Sequence, residues 1–152
     1  MNTRDFVKES NRIEGITRPP TKAEIEEHNR FVNLPVITVA ELESFVSVYQ
    51  PKAKLRSAYG LDVRVGNHTP PQGNPNMPNM LNKIILNIEN MTPYEAHIQY
   101  ETLHPFTDGN GRSGRALWAW CMLETAGKYP LGFLHHFYYQ ALNASRRHGY
   151  HH

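Results

Sequence analysis

Residues 104–115 read His104-Pro-Phe-Thr-Asp108-Gly109-Asn110-Gly111-Arg112-Ser-Gly-Arg115. An imidazole, a carboxylate, a Gly-Asn-Gly turn and two guanidiniums fall within this one stretch. The turn opens a helix by pattern, so the backbone N–H groups from Gly109 to Gly111 can converge on an anion, helped by the partial positive charge of a helix N-terminus. Arg112 and Arg115 lie three apart, hence on one helical face, and can grip phosphate oxygens in bidentate fashion. Asp108 can ligate Mg²⁺, because hard cations take carboxylate oxygens. His104 precedes the turn, where a base could take a proton from an attacking hydroxyl. The parts add up to a site for a polyphosphate and a nucleophile.

Outward from this stretch the signals are helical. Three segments open with a threonine followed three residues later by a glutamate, the grammar of a capping box: Thr21 with Glu24, Thr38 with Glu41, and Thr92 with Glu95. Pro93 takes the first helical position of the third, where its missing N–H costs nothing. Pro51 stops the second. Met77, Met80, Leu81, Ile84, Ile85 and Ile88 recur at helical spacing and predict a buried stripe; Gly114, Leu117, Trp118, Cys121, Met122 and Thr125 predict another behind the glycine turn. Gly127 caps that helix, with Pro130 following. A last amphipathic helix is expected over about Leu131 to Ser145.

One segment breaks the run. Around Leu61 to Pro71, Val63 and Val65 alternate before a turn at Gly66-Asn67 and a stop at Pro70-Pro71, which predicts a short β-hairpin.

The twelve residues from His104 resemble the signature of the Fic family, His-Pro-Phe-x-(Asp/Glu)-Gly-Asn-Gly-Arg-x-x-Arg, at every fixed position. The resemblance implies a mainly α, Fic-like helical domain over roughly residues 35 to 145, with the hairpin as a flap whose Val63, Val65, Gly66 and Asn67 pin an extended target segment by strand addition. It implies a protein adenylyltransferase that moves AMP from ATP to a Tyr, Thr or Ser hydroxyl of a target protein or of the chain itself. His104 would be the base, Asp108 the Mg²⁺ ligand, Gly109, Asn110, Gly111 and Arg112 the cradle for the α- and β-phosphates, and Arg115 the γ-phosphate contact. Transfer of another nucleotide, phosphocholine or a phosphoryl group, removal of AMP by water, and a low-turnover nucleotide-binding module are the alternatives.

Ser10-Asn-Arg-Ile-Glu14-Gly15 matches a second pattern of the family, (Ser/Thr)-x-x-x-Glu-(Gly/Asn). It implies an N-terminal autoinhibitory helix whose Glu14 pairs with Arg115 and takes the space of the γ-phosphate. A carboxylate is a natural competitor for a guanidinium that otherwise holds phosphate. Phe6, Val7 and Ile13 could dock that helix on the core. The Tyr138-Tyr139 pair resembles adenine-side residues of the family, but Arg146 stands where an asparagine is expected.

Bulk properties fit this reading. The chain has 152 residues, 39% hydrophobic and 20% charged, which predicts one domain over 1–152; within it, the resemblance implies that 1–20 form the inhibitory helix and linker. A net charge of +2 is too small to argue for nucleic acid. The single cysteine, Cys121, excludes an internal disulfide and reads as a small buried hydrophobe. With no apolar leader and no run of ~20 apolar residues, the expectation is a soluble cytoplasmic protein with no membrane partner, and a homo-oligomer is compatible with it. Nine histidines raise a metal reading, but no pair has zinc-site spacing with a third ligand in view. His97 is read as a packed, hydrogen-bonded neighbour of the site.

Overall fold

The threonine-glutamate pairs do begin helices. In the computed structural model, which describes residues 2–134, α1 spans Thr3–Ile13, α2 Lys22–Val32, α3 Val39–Tyr49, α4 Met77–Leu86, α5 Pro93–Leu103 and α6 Asn110–Ala126, with a 3₁₀ turn at Ile88–Asn90 between α4 and α5. At α2 the box is complete: Glu24 N–H donates to Thr21 Oγ1 and Thr21 N–H donates to the Glu24 carboxylate. At α3 and α5 the threonine half is present. Glu41 instead accepts from Arg30 at 2.6 Å, which ties α3 to α2.

The α6 helix is the axis of the fold. Every residue from Asn110 to Ala119 is buried, so this helix has no solvent face over its first half. It packs most extensively on α5 and also touches α1, α2 and α3. A helix buried all round is what a central helix requires. Polar groups on it must therefore find partners. Ser113 Oγ donates to the Gly109 carbonyl at 2.8 Å and lies 2.7 Å from Tyr100 Oη, while His97 Nδ1 bonds the Gly114 carbonyl at 3.1 Å. These bonds fix the register of α5 on α6. The His97 reading is thus the observed one.

The remaining helices close around α6 with apolar side chains. Phe6 and Val7 of α1 are buried, and Phe6 lies 5.1 Å from the Tyr129 ring and 4.7 Å from His28. Burying a phenylalanine contributes ~2–3 kcal/mol, so α1 is docked by its own apolar face as well as by polar contacts. Phe31, Phe45 and Tyr49 form a second aromatic stack. In α4, Met77, Leu81 and Ile84 are buried, and Met80 and Ile85, with Ile88 of the 3₁₀ turn, pack partly buried against the core. Cys121 is buried and free, and burial pushes its thiol up to about 12. Gly127 ends α6 in the left-handed conformation.

The hairpin expectation needs correction. Among the described residues there is no strand. Val65 and His68 form one isolated antiparallel bridge, with N–H···O distances of 3.0 and 2.9 Å, around Gly66-Asn67. The turn exists, but the ladder does not extend. Pro70 and Pro71 have no N–H to give, and the Asp62 carboxylate accepts the Gly73 N–H at 2.8 Å, tying the two arms by a side chain instead of a ladder. The second bridge, Leu55 with Phe106, was not anticipated. It lays residues 54–56 beside the loop that follows His104. The predicted helix over Leu131–Ser145 lies, apart from its first residues, outside the described residues, as do Tyr138, Tyr139 and Arg146.

No helix among the described residues is long and apolar enough to cross a membrane.

Candidate active site

The loop 104–109 is held by its own side chains. Asn110 accepts the Phe106 N–H on Oδ1 at 2.9 Å and donates Nδ2 to the Phe106 carbonyl at 2.8 Å. Its amide is thereby consumed as a brace, and only its backbone remains for a ligand. Thr107 is pinned to Lys54 by Thr107 N–H to Lys54 O at 2.8 Å and Lys54 N–H to Thr107 Oγ1 at 2.9 Å. Gly109 then turns the chain into α6 with φ +80°, a left-handed conformation that favours glycine. A Cβ there would also come within 3.3 Å of Val46.

This turn leaves α6 without a side-chain cap. The Gly109 N–H is taken by Asp108 Oδ1 at 2.7 Å, and Ser113 N–H is the first to reach back, to the Gly109 carbonyl. The N–H groups of Asn110, Gly111 and Arg112 have no intrahelical carbonyl to reach, as at any helix start. They belong to residues that line a cavity of about 290 Å³, walled by Glu14, Ile16, Gln50, His104 and residues 107–112. An uncapped helix N-terminus beside a cavity has the chemistry to take an anion.

His104 caps the C-terminus of α5 in the left-handed conformation, φ 51° and ψ 62°, the one non-glycine residue among those described with positive φ. Such a conformation costs ~1–3 kcal/mol and needs surrounding structure to hold it. Burial lowers the imidazole pKa to about 4, and the nearby Arg56 and His68 lower it further, while a backbone bond at Glu101 and the charge of Glu14 work the other way. The ring is therefore neutral near pH 7, the form a base requires. Its Nδ1 is shielded from solvent.

The two arginines have different surroundings. Arg112 lines the cavity; its Nη1 donates to Asn11 Oδ1 at 3.3 Å and lies 3.8 Å from Glu24, and its guanidinium sits 5.3 Å over the Tyr49 ring. Arg115 is fully buried and covered by α1. It donates Nε to Ser10 Oγ at 2.8 Å, Nη2 to the Ser10 carbonyl at 3.0 Å, and Nη2 to Glu14 Oε1 at 2.6 Å. The Glu14 carboxylate lies so close over the first turn of α6 that a Cβ on Gly111 would run into it. Glu14 is thus the anion at this helix N-terminus. Gly15 follows α1 with φ +78°.

The cavity walls offer two carboxylates, Glu14 and Asp108, and no group of three metal-binding side chains exists among the described residues. That composition fits Mg²⁺, which is commonly held by one or two carboxylates together with substrate phosphates. Asp108 is solvent-exposed, so its second oxygen can turn to a hydrated cation. The flap residues behave otherwise. Val63, Val65, Gly66 and Asn67 do not wall the cavity; Val65 is buried, and the turn is tied down by His68 Nε2 to the Thr102 carbonyl at 2.8 Å.

Several contributors carry no sequence signal. Asn11 fills a variable position of the Ser-x-x-x-Glu pattern, yet it bridges Arg112 to Glu24. Glu24 reads as a capping residue only, though it also takes both ends of the Arg18 guanidinium at 3.0 and 2.9 Å. Gln50, Ile16 and Arg56 stand in segments with no motif. Glu101, one turn before His104, has a buried carboxylate without a hydrogen-bond partner; burial raises it to about 8, against the pull of Arg115.

Comparison with known proteins gave one match. A family model described as "Fic/DOC family" matches residues 47–122, half of the chain. The matched span runs from the end of α3 through most of α6, and leaves α1 and α2 outside it. No curated protein and no solved structure matches the chain.

Proposed function

Since the chain belongs to the Fic/DOC family, whose members are generally transferases that use nucleotide substrates and protein targets, we propose that it is a protein adenylyltransferase restrained by its own N-terminal helix, the whole of residues 1–152 serving as one domain. The observation that carries this is the uncapped α6 N-terminus beside a neutral, half-buried His104, with Glu14 in the position of an anionic ligand.

The steps follow from the chain's own groups. ATP lays its α- and β-phosphates on the N–H groups of Asn110, Gly111 and Arg112, and the Arg112 guanidinium neutralises them. Mg²⁺, held by Asp108 and the phosphates, would supply charge neutralisation for the leaving pyrophosphate. A Tyr, Thr or Ser hydroxyl attacks the α-phosphorus, His104 takes the hydroxyl proton, and the bond from the α-phosphorus to the bridging oxygen breaks as pyrophosphate departs. Positioning and electrostatics supply most of the acceleration in such a transfer. Arg115 holds the γ-phosphate once Glu14 and Ser10 release it. Until then the carboxylate and the γ-phosphate compete for one guanidinium, and ATP settles without its α-phosphate in line.

The test is to incubate the Glu14→Gly protein with Mg²⁺ and ATP labelled at either the α- or the γ-phosphate. Retention of α-label alone on protein is the expected result. Retention of γ-label would replace the reading by phosphoryl transfer, and retention of neither would defeat it.

A further inference from the structure

The largest fully buried polar side chain outside the signature is Arg56. Its guanidinium meets no carboxylate within hydrogen-bond distance. All four of its bonds go to backbone carbonyls: Nε to His104 at 2.7 Å, Nη2 to Leu103 at 2.9 Å, Nη1 to Pro71 at 2.8 Å and Nη1 to Leu61 at 3.2 Å. Two of these carbonyls close the C-terminus of α5, and the other two bracket the 61–71 turn. Its own backbone continues the tie, with Arg56 N–H to the Pro105 carbonyl at 2.8 Å and Asn74 N–H to the Arg56 carbonyl at 3.1 Å.

A cation buried without a counter-ion is expensive, and burial accordingly pulls the Arg56 pKa below its ordinary value while Asp62 opposes that. An apolar side chain would fill the same space at lower cost. Two features offset the expense here. The last carbonyls of a helix lack intrahelical donors and carry its partial negative charge. The planar fork of a guanidinium can also serve two directions at once, which the point charge of a lysine cannot. Arg56 spends that fork on the carbonyl of the residue whose backbone is left-handed. That bond joins the His104 N–H to Tyr100 carbonyl bond at 2.9 Å in holding φ 51°.

We infer that Arg56 is a positioning residue: it locks the backbone of His104 and yokes the 61–71 turn to it, so that the base and the neighbouring surface move as one body. The role rests on the reading of His104 as the base. Arg56 is not among the residues that wall the phosphate cavity, so its loss should act on the transfer step and spare nucleotide binding.

The experiment compares Arg56→Lys and Arg56→Gln, both in the Glu14→Gly background, by ATP dissociation constant, transfer rate at saturating ATP per folded molecule, and NMR shifts and titration of the His104 ring. The expected result is an ATP constant within about threefold of the parent and a rate lowered by up to about 10²-fold, the consequence of misplacing a reacting group by ~1 Å. The lysine variant should recover part of the loss, and the His104 signals should move in both. A folded variant with rate within about threefold of the parent overturns the inference, and so does a parallel loss of ATP binding and rate. Failure of both variants to fold overturns it as well, since the role would then be structural. If the Glu14→Gly parent transfers nothing, the proposed function fails, and the NMR arm still decides: His104 signals unmoved by Arg56→Lys would end the positioning role.

Discussion

Glu24→Gln perturbs the anchor of α1 without altering a residue that walls the cavity. The Glu24 side chain is 3% exposed and gathers Arg18, Asn11 and the Thr21 N–H, with Arg112 at 3.8 Å. Burial by itself would raise its carboxyl, but the Arg18 fork and the Thr21 and Asn11 bonds outweigh that and hold it at about 2, against an ordinary 4.5. Carried straight into linkage, that depression corresponds to ~3 kcal/mol of stability at neutral pH. Arg18 is 48% exposed, so solvent screening cuts the figure to ~2 kcal/mol. Glutamine keeps the capping geometry and loses the charge, so the comparison isolates the ionic part. The sign follows from a depressed folded pKa: the contribution is complete above 4.5 and is lost as pH falls toward about 2. In urea titrations at pH 7 the variant should be less stable than the parent by ~2 kcal/mol, with Tm lower by roughly 4–8 °C. The gap should narrow at pH 4 and again at pH 3. Because Asn11 passes the tie on to Arg112, the variant should also bind ATP more readily. A gap that does not change with pH, or one under about 0.5 kcal/mol, the level expected of an ordinary surface change, would refute the reasoning.

Other expectations follow from the same geometry. His104→Ala in the Glu14→Gly background should abolish transfer while ATP affinity, measured by calorimetry, stays within about threefold, because the imidazole acts on the acceptor. In the Glu14→Gly protein, kcat/KM should rise as pH increases through about 4, where His104 loses its proton, and run level across the ordinary histidine range; a limb centred near ~6.5 would show that burial does not set this group. Gly73→Ala should cost ~1–3 kcal/mol, since its Cβ would stand 2.5 Å from the Leu61 carbonyl oxygen and 2.8 Å from that of Ala58, both backbone; a denaturation midpoint equal to that of the parent would contradict this.

Much of the helical frame was legible because its signals are local. Thr21, Thr38 and Thr92 announce helix starts through a bond to the third residue on, and Gly109 and Gly127 mark chain reversals through their conformation. The flap was overread because alternation at Val63 and Val65 records burial of one face, whereas a hairpin needs donors on both sides, which Pro70 and Pro71 lack. The signature put His104, Asp108 and Arg112 at one cavity, but not the use of Asn110. That amide braces the loop, a role visible only once Phe106 is folded back over it. Arg56 and Asn11 were invisible for a related reason. Their partners lie 48 and 101 residues away, and an arginine aimed at backbone carbonyls leaves no pairing pattern in the chain.

The central claim is that Glu14 restrains a competent AMP-transfer site. It is tested most directly by intact-mass measurement of wild type and Glu14→Gly after equal incubation with ATP and Mg²⁺. The account predicts a gain of one adenylyl group on the variant and little or none on wild type in the same time. Equal gain on both, or an unchanged mass on a Glu14→Gly protein that demonstrably binds ATP, would contradict it.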